Sequence, residues 1–324
     1  MHPGRRRHYG TFYGLTEPAD DNRPVLVVHG NCQAESLRVL LAGPSDRPDG
    51  GTDAGEFNPV RIPPVHELEP SDLPYLQALL GRSGGLLSQP VRDDYRNLPL
   101  GTDQLAAALP AGARVLRYPI VRYLGLHPYQ AIIRHPSDPS AVPARVPYHD
   151  LRILAAVRDG LPLPAAIERA ESVIADPSAL RAVGEDSLAE LARREKLCDV
   201  AISDVVPDLG ATAVHTLNHP GNDLLIALAR RVQQALGRPP TASDPGRVLL
   251  GGIRAPLQEP VLAALGLAAP AREHWLVDGA PVPVAEVVTA QVAWYAAHPE
   301  FVTVGLARHA DRLAQLDLGP DGRR

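Results

Sequence analysis

The feature that most constrains the fold is a short apolar run that ends in a polar turn. Pro24–His29 is apolar and rich in β-branched residues, which is typical of a buried strand. Gly30–Gln33 interrupts that run, and apolar residues then recur at helical spacing as far as Leu41. A strand, a sharp turn and a helix form the opening unit of many α/β enzymes. We therefore expect an α/β fold.

The rest of the chain extends this pattern. Further strands are predicted over residues 58–62, 84–90, 113–118 and 213–217, and helices over residues 73–80, 105–109, 222–236 and 284–297, the last long helix. Helical spacing dominates from about residue 150 to 197. The sequence predicts a small, mostly parallel sheet flanked by helices, with a helical insertion or subdomain at about 150–197. We expect a flexible N-terminal arm over 1–23, a single catalytic domain over 24–316 and a C-terminal tail over 317–324.

The composition narrows the classes of function. A net charge of −5 and an aromatic share of 4% argue against a nucleic-acid partner. The chain has no stretch of about 18 apolar residues, so a membrane span is not expected. The first 23 residues lack the apolar core of a signal peptide, and two cysteines do not make a disulfide framework. We expect a cytoplasmic protein with reduced thiols, and we leave open whether it is a homo-oligomer.

Cys32 is the first candidate for a reactive residue. It stands where the predicted strand ends and the helix begins, so unpaired backbone N–H groups and the helix dipole should lower its pKa. The same N–H groups, with the side-chain amides of Asn31 and Gln33, are suited to hold an oxyanion. Gly30 provides the turn. The alternative is a small apolar residue that packs at the turn, although a position between Gly, Asn and Gln favours a functional role.

Thr216–Pro220 is the second candidate. It follows a predicted strand and precedes a helix, so we expect it at the same sheet edge as Cys32. His219 would act as a general base, and Asn218 would orient it or bind substrate. The alternative is ordinary turn and helix-start chemistry. His215 raises the idea of a metal site, but no ligand pattern accompanies it, so no metal is expected.

Two further regions carry polar side chains of interest. The loop after the third strand holds Ser88, Gln89, Arg92, Tyr95 and Arg96, and its arginines suit the phosphates of a nucleotide-containing donor. A solvated loop is the alternative. The second region contains His127 and His149, downstream of Arg117, Tyr118 and Arg122, and these histidines are either functional or ordinary loop residues. The chain has no GxSxG elbow, Walker loop or GxGxxG turn.

Taken together and in order, these motifs resemble the WcbI family of polysaccharide-biosynthesis enzymes. The resemblance covers about residues 24 to 300. Its motifs are Gly30–Gln33, Leu87–Pro90 with Tyr95 and Arg96, Tyr118–Pro119, His127–Pro128, Tyr148–Asp150, Arg194–Glu195 with Asp199–Val200, and Asn218–Pro220. The chain departs from the family at Tyr129, where the family tends to carry an acidic residue. That departure puts in doubt a role for this loop in orienting a histidine.

The resemblance implies acyl transfer from an acyl-CoA to a hydroxyl or amine of a sugar or secondary-metabolite acceptor. Cys32, Asn31 and His219 are then the predicted catalytic residues. The predicted substrate or oxyanion-binding residues are Gly30, Gln33, Ser88, Gln89, Asn218, His127 and His149. The predicted coenzyme A-binding residues are Arg92, Tyr95, Arg96, Arg117, Tyr118 and Arg122. A nucleophile on the first turn and a histidine on a late one is also remotely similar to SGNH-type hydrolases, an analogy of fold alone.

Two other functions fit the same residues. A cysteine-dependent hydrolase of an ester, thioester or amide would use Cys32 and His219 in the same way, with water as acceptor. A non-catalytic protein that binds coenzyme A would keep the pocket and leave Cys32 unreactive. Within the transferase hypothesis, either Cys32 carries the acyl group as a thioester, or the acceptor attacks the donor directly while Cys32 and Asn31 line the oxyanion site.

Overall fold

The computed structural model describes residues 3–17, 23–43, 55–138 and 141–320. Its main sheet has four strands, β1 (Val25–His29), β2 (Asn58–Val60), β3 (Ser83–Ser88) and β4 (Arg114–Arg117). The strands lie in the order β2-β1-β3-β4 and every neighbouring pair is parallel. The predicted α/β class, with a small parallel sheet flanked by helices, is confirmed.

The register of β1 against β3 places two chain turns side by side. All five residues of β1 are buried, as expected for a central strand of a parallel sheet covered on both faces. Val28 is paired with Leu87 and His29 with Ser88, so the two strands end together. Gly30 and Gln89 therefore follow at the same edge of the sheet.

The helices and the shorter strands account for about half of the remaining described residues. The helices are α1 (Pro3–His8), α2 (Cys32–Ala42), α3 (Leu73–Leu80), α4 (Thr102–Ala107), α5 (Leu151–Arg158), α6 (Leu163–Ser172), α7 (Pro177–Glu195), α8 (Val206–Leu209), α9 (Asn222–Ala235), α10 (Glu259–Ala264), α11 (Val284–Ala297), α12 (Pro299–Arg308) and α13 (Ala310–Gln315). The shorter strands are β5 (Gln130–Ala131), β6 (His149–Asp150), β7 (Val214–Thr216), β8 (His219–Pro220), β9 (Ile253–Arg254), β10 (Trp275–Val277) and β11 (Ala280–Val282).

The contacts within the chain divide it into two compact units. The first unit comprises residues 1–121, 190–209 and 220–250, and the second comprises residues 122–189, 210–219 and 251–324. The single domain expected over 24–316 stays a prediction, as does the status of 150–197 as an insertion. The predicted helical character of that segment corresponds to α5, α6 and α7.

The first unit is built on the parallel sheet. Apolar side chains of β1, β3 and α3 form its core, and α9 packs against α2. Within the predicted N-terminal arm, Tyr9, Phe12 and Tyr13 belong to this core. The rings of Phe12 and Tyr13 are 2% and 3% exposed, and the Tyr13 hydroxyl donates a hydrogen bond to buried Asp72, 2.8 Å between oxygens. Arg5 forms an ion pair with the other oxygen of Asp72 at 3.0 Å. Residues 18–22 of the predicted arm lie outside the described residues.

The second unit has a mainly helical core. Its α5 packs against α6 and α12, and α11 packs against α6. The strands β9, β10 and β11 form an antiparallel sheet, with β10 and β11 joined through Asp278 and Gly279. Two helices, α12 and α13, follow α11, which the sequence analysis took as the last long helix. The predicted C-terminal tail begins inside this unit, because Leu318 is buried in its core, and residues 321–324 lie outside the described part of the chain.

The strand β7 does not join the parallel sheet. It is paired with β8 in a separate two-stranded sheet. The expectation that residues 216–220 follow a strand of the same sheet as β1 is therefore wrong, and the argument from parallel-strand ends does not apply to them. Within the described residues, no helix has the length and apolar character needed to cross a membrane.

The contacts of Tyr13 predict that the N-terminal segment contributes to stability. Tyr13→Phe removes a donor to a buried carboxylate and should lower the free energy of unfolding by about 1.5–3 kcal/mol, because hydrogen bonds to charged groups lie in that range. Urea unfolding followed by circular dichroism measures it. Tyr75→Phe, which removes a hydroxyl from a ring packed against Tyr13, is the matched control. Equal stability of wild type and Tyr13→Phe would contradict the prediction.

Candidate active site

Cys32 is the first residue of α2, directly beyond the end of β1. Asn31 is the N-cap of this helix, and its Oδ1 atom accepts a hydrogen bond from the Gln33 N–H at 2.9 Å. An asparagine at this position satisfies one of the orphan N–H groups at the helix start. The thiol of Cys32 is partly buried. The predicted position of Cys32 at a strand-to-helix turn is thus present in the structure.

Gly30 is required by the close approach of Gln89. A Cβ atom on Gly30 would lie 2.5 Å from Oε1 of Gln89 and 2.7 Å from its Cδ. The same Oε1 atom accepts a hydrogen bond from the Asn31 N–H at 2.8 Å, so Gln89 is held against the turn. The side chain of Gln89 is 1% exposed. Gly30 therefore allows a buried amide from β3 to fix the backbone immediately before Cys32.

A second buried amide, that of Gln33, continues this network. Its Oε1 atom accepts from Nε2 of Gln89 at 3.3 Å and from the Val121 N–H at 3.0 Å, and its Nε2 atom donates to the Val121 carbonyl at 2.8 Å. The two glutamines are thus ordered by their partners and give the turn a polar but rigid lining. The side-chain Nδ2 of Asn31, in contrast, has no hydrogen-bond partner among the described residues.

Ser88 at the end of β3 and Tyr118 just after β4 make buried hydrogen bonds within the first unit. The hydroxyl of Ser88 is buried and hydrogen-bonded to Thr102 and to the Gln89 carbonyl. Tyr118 is 1% exposed, and its hydroxyl donates to the His29 carbonyl at 3.0 Å. Tyr118 is therefore a core residue of the first unit, and its predicted contact with coenzyme A is wrong, since its hydroxyl is already used. Ser88 likewise has a structural role.

The protonation state of Cys32 differs from the sequence expectation. Burial raises the pKa of its thiol to about 11, against the opposing effect of the backbone N–H groups of Cys32 and Gln33, and the carboxylate of Glu67 raises it further. Desolvation disfavours the thiolate more than the helix start favours it. The prediction that the pKa of Cys32 is lowered is therefore wrong. At neutral pH Cys32 is a thiol that has to lose its proton during any nucleophilic attack.

The predicted cofactor residues of the first unit fall into two groups. Arg117 forms an ion pair with Asp103 and Arg96 donates to the His66 carbonyl, so both guanidinium groups are engaged. Tyr95 packs partly buried against the apolar core. Arg92 is exposed and has no ion pair among the described residues. The loop itself is unusual, because Asp94, Arg96 and Asn97 all have left-handed backbone conformations.

The remaining predicted residues lie in the second unit. Asn218 accepts a hydrogen bond from the Tyr148 hydroxyl at 2.9 Å, and Thr216 donates to that hydroxyl at 2.9 Å. The ring of His219 meets the Tyr148 ring edge-on, with centroids 6.0 Å apart. Tyr148 therefore joins the two residues selected from the sequence. Tyr148 belongs to the Tyr148–Asp150 motif, but its position in the sequence did not indicate that it contacts both Asn218 and His219.

Two histidines of this unit are buried. His149 is hydrogen-bonded to the Tyr295 hydroxyl at 2.8 Å among aromatic rings, and burial lowers its pKa to about 4. It is a core residue, so its predicted role in substrate binding is wrong. Burial likewise lowers the pKa of His127, to about 3, with a further contribution from Arg272. His127 lines a cavity of about 830 Å³ in this unit. Arg122, which was predicted to bind coenzyme A, also belongs to this unit and is exposed.

Among the described residues, no group of three or more His, Cys, Asp or Glu side chains is arranged to hold a metal ion.

Comparison with known proteins gives two findings. The family model for the polysaccharide biosynthesis enzyme WcbI matches residues 25–241. A solved structure of WcbI, described as the native protein without a disulfide bond between coenzyme A and one of its cysteines, is similar to the chain with a TM-score of 0.75 and 19% identity. The similarity covers 92% of this chain and 99% of that one. No similar curated protein was found.

The raised pKa predicts how Cys32 reacts with alkylating agents. In a Cys198→Ser background, the rate of reaction with iodoacetamide should rise about tenfold per pH unit between pH 7 and 9.5, because only the thiolate reacts and its fraction grows tenfold per unit below the pKa. Intact-protein mass spectrometry gives the rate. Cys32→Ser in the same background is the blank. A plateau already reached near pH 8 would contradict the prediction.

The contact of Gly30 with Gln89 predicts coupling between the two positions. Gly30→Ala should destabilise the protein by about 1–3 kcal/mol, the range for overpacking, because Gln89 must leave its hydrogen bonds. Gln89→Ala vacates the space that the added methyl group needs. The double variant should therefore be more stable than the sum of the single effects implies, as urea unfolding would measure. Additive effects would show that the contact is absent.

Proposed function

Since the chain belongs to the WcbI family of polysaccharide-biosynthesis enzymes, we propose that it transfers an acyl group from an acyl-CoA to a hydroxyl or amine of a sugar or secondary-metabolite acceptor. The observation that carries the proposal is the position of Cys32 at the start of α2, beside amide groups fixed by Gly30 and Gln89. The description of the WcbI structure names coenzyme A together with a cysteine. We extend that association to Cys32.

The first unit offers donor groups suited to a thioester carbonyl. The Nδ2 atom of Asn31 is without a partner among the described residues, and the backbone N–H of Cys32 belongs to the first turn of a helix, where N–H groups lack helical acceptors. Both stand next to the thiol in the sequence. Donors held in place in this way stabilise the negative charge that develops on a carbonyl oxygen under attack. Asn31 therefore has two roles, since its Oδ1 caps the helix while its Nδ2 remains for the substrate.

The phosphates of coenzyme A require cationic partners. Of the arginines predicted to bind the donor in the first unit, Arg92 is the one whose guanidinium has neither an ion pair nor a hydrogen bond among the described residues. A guanidinium group binds phosphate through paired N–H donors. We therefore assign Arg92 to a phosphate of the donor. Arg96 and Arg117 keep only a structural role, Arg96 in the loop and Arg117 in β4.

In the covalent route, the Sγ atom of Cys32 attacks the thioester carbonyl. The bond from the carbonyl carbon to the coenzyme A sulfur breaks, and the proton lost by Cys32 ends on that sulfur. The acceptor hydroxyl or amine then attacks the acyl-Cys32 thioester, and its proton returns to Sγ. Every atom is accounted for, and Cys32 ends as the thiol. His219 stays the predicted base for the acceptor.

The direct route leaves Cys32 unmodified. The acceptor attacks the bound donor, and Cys32 and Asn31 line the position of the oxyanion. The high pKa of the thiol favours this route in the absence of a group that removes the proton. The two routes differ in whether an acyl group is ever attached to the protein, which is directly measurable.

The covalent route predicts that incubation with acetyl-CoA or longer acyl-CoAs adds the mass of one acyl group to the protein, and that Cys32→Ser abolishes this adduct. Intact-protein mass spectrometry is the measurement, and Cys198→Ser, which keeps Cys32, is the matched control. Native spectra report coenzyme A binding in parallel.

Three other outcomes discriminate between the hypotheses. Bound coenzyme A without an adduct, and with turnover in an acceptor panel, would favour the direct route. Release of free coenzyme A without any acceptor would favour the hydrolase. Neither adduct nor binding of coenzyme A would rule out the acyl-CoA donor altogether.

A further inference from the structure

The second unit contains a cavity of about 830 Å³ that the proposed chemistry at Cys32 does not use. Its volume falls within the usual range for small-molecule sites, about 300–1,000 Å³. Its walls come from the His127–Gln130 loop, the start of α5, the segment before α10 and the Arg272–Trp275 segment. All of these residues belong to one unit. The cavity is therefore a property of the second unit itself.

One wall of the cavity contains the ion pair of Arg152 and Asp150. Arg152 is 5% exposed and contacts both carboxylate oxygens of Asp150, with Nη2–Oδ2 at 2.7 Å and Nε–Oδ1 at 3.1 Å. Its guanidinium carbon lies 4.0 Å from the centre of the Tyr129 ring. Tyr129 itself is fixed by the Ala175 N–H, which donates to its hydroxyl at 2.7 Å. The charge of Arg152 is thus compensated inside the protein, and this wall is rigid.

The second arginine of the cavity is not compensated. Nε and Nη2 of Arg272 both donate to the Ala255 carbonyl, which fixes the plane of the guanidinium group. No carboxylate among the described residues lies within ion-pair distance of it, although Glu171, Glu259 and Glu273 also line the cavity. Burial lowers the pKa of Arg272, and the charge of Arg254 lowers it further. Arg272 is partly buried, so water screens it incompletely. A half-buried cation with free N–H donors is suited to an anionic group of a ligand.

His127 lines the same cavity but does not offer it a free nitrogen. Its side chain is 4% exposed, and its Nε2 atom is fully buried without a hydrogen-bond partner of good geometry among the described residues. The ring is neutral, because burial and the charge of Arg272 both disfavour its protonation, while the carbonyl groups of Val214 and Pro256 oppose them. His127 therefore adds no charge beside Arg272.

An aromatic wall completes the cavity. Trp275 is 7% exposed and lines it, with its ring stacked against that of Tyr148 at 6.2 Å between centroids. An indole ring offers an apolar surface and one N–H donor. An anion-binding arginine and a fixed indole ring are together complementary to a sugar that carries an acidic group.

We propose that this cavity binds an acidic saccharide, with the carboxylate or phosphate of the sugar on Arg272 and the ring of the sugar beside Trp275. The assignment rests on the proposed function in one respect, since it identifies the class of acceptor for that reaction. Binding at the cavity itself does not depend on the chemistry of Cys32.

Saturation-transfer NMR tests the proposal with three probes, namely glucuronate, glucose 1-phosphate and neutral glucose. Wild type should bind both acidic sugars in preference to glucose, and Arg272→Gln should weaken the binding of both acids by about tenfold or more, because a charge-assisted pair is lost. Arg272→Lys should retain part of the affinity. Arg181→Gln is the matched control, because Arg181 in the same unit also donates to a backbone carbonyl, that of Ala264. Circular dichroism verifies that each variant is folded.

Several results would overturn the proposal. Equal binding of glucuronate and glucose would exclude charge recognition, and equal losses in Arg272→Gln and Arg181→Gln would exclude this cavity. Absence of saturation transfer to both acids would also refute it. Coenzyme A carries phosphates as well, so its affinity is measured on the same variants. A loss of coenzyme A binding in Arg272→Gln, with sugar binding unchanged, would assign the cavity to the donor. Since no acyl-CoA is present in the sugar titrations, failure here and failure of the Cys32 adduct are separate results.

Discussion

The candidate active site depends on the contact between Gly30 and Gln89. Parallel pairing of β1 with β3 ends both strands together, and the absence of a side chain at Gly30 lets a buried amide reach the Asn31 N–H. Asn31 then caps α2, and Cys32 becomes the first residue of that helix. A larger residue at position 30 would displace Gln89 and remove its hydrogen bond to the Asn31 N–H. The geometry around the thiol is therefore a consequence of strand register, and it is fixed without any contact made by the thiol itself.

Much of the first unit is predictable from its sequence because its signals are local. Short β-branched runs, interrupted by polar turns and helices, predicted all four strands of the sheet within a few residues. The polar residues Gly30 to Gln33 and Gln89 were identified because they follow the ends of predicted strands. The sequence could not distinguish the support of a site from the site itself. Ser88, Tyr118 and His149 look functional by type and spacing, and only their burial shows that they hold the core.

Other errors have different causes. The expected edge position of residues 216–220 assumed that β7 belongs to the parallel sheet, but strand membership depends on long-range pairing that three residues do not encode. The hairpin of β10 and β11 has a local signal, Asp278-Gly279, which the predicted strands do not include. Within the predicted N-terminal arm, Arg5 and Tyr13 both bind Asp72, a contact over more than 50 positions that has no local signal. Cavities such as that beside Arg272 arise from distant segments and have no periodic signature.

Burial disfavours the charged form of a side chain in both units. In the first, desolvation keeps the Cys32 thiol protonated, since one pair of backbone N–H groups does not offset the loss of water. In the second, desolvation keeps His127 neutral and lowers the pKa of Arg272, which has no ion pair among the described residues. A protonated thiol is protected from oxidation and from stray electrophiles until a substrate changes its surroundings. An uncompensated arginine, in contrast, is ready for an anion before any substrate arrives. Under the two proposals, the second unit selects its ligand by charge, and the first unit restricts reaction to the moment when the proton of Cys32 can leave.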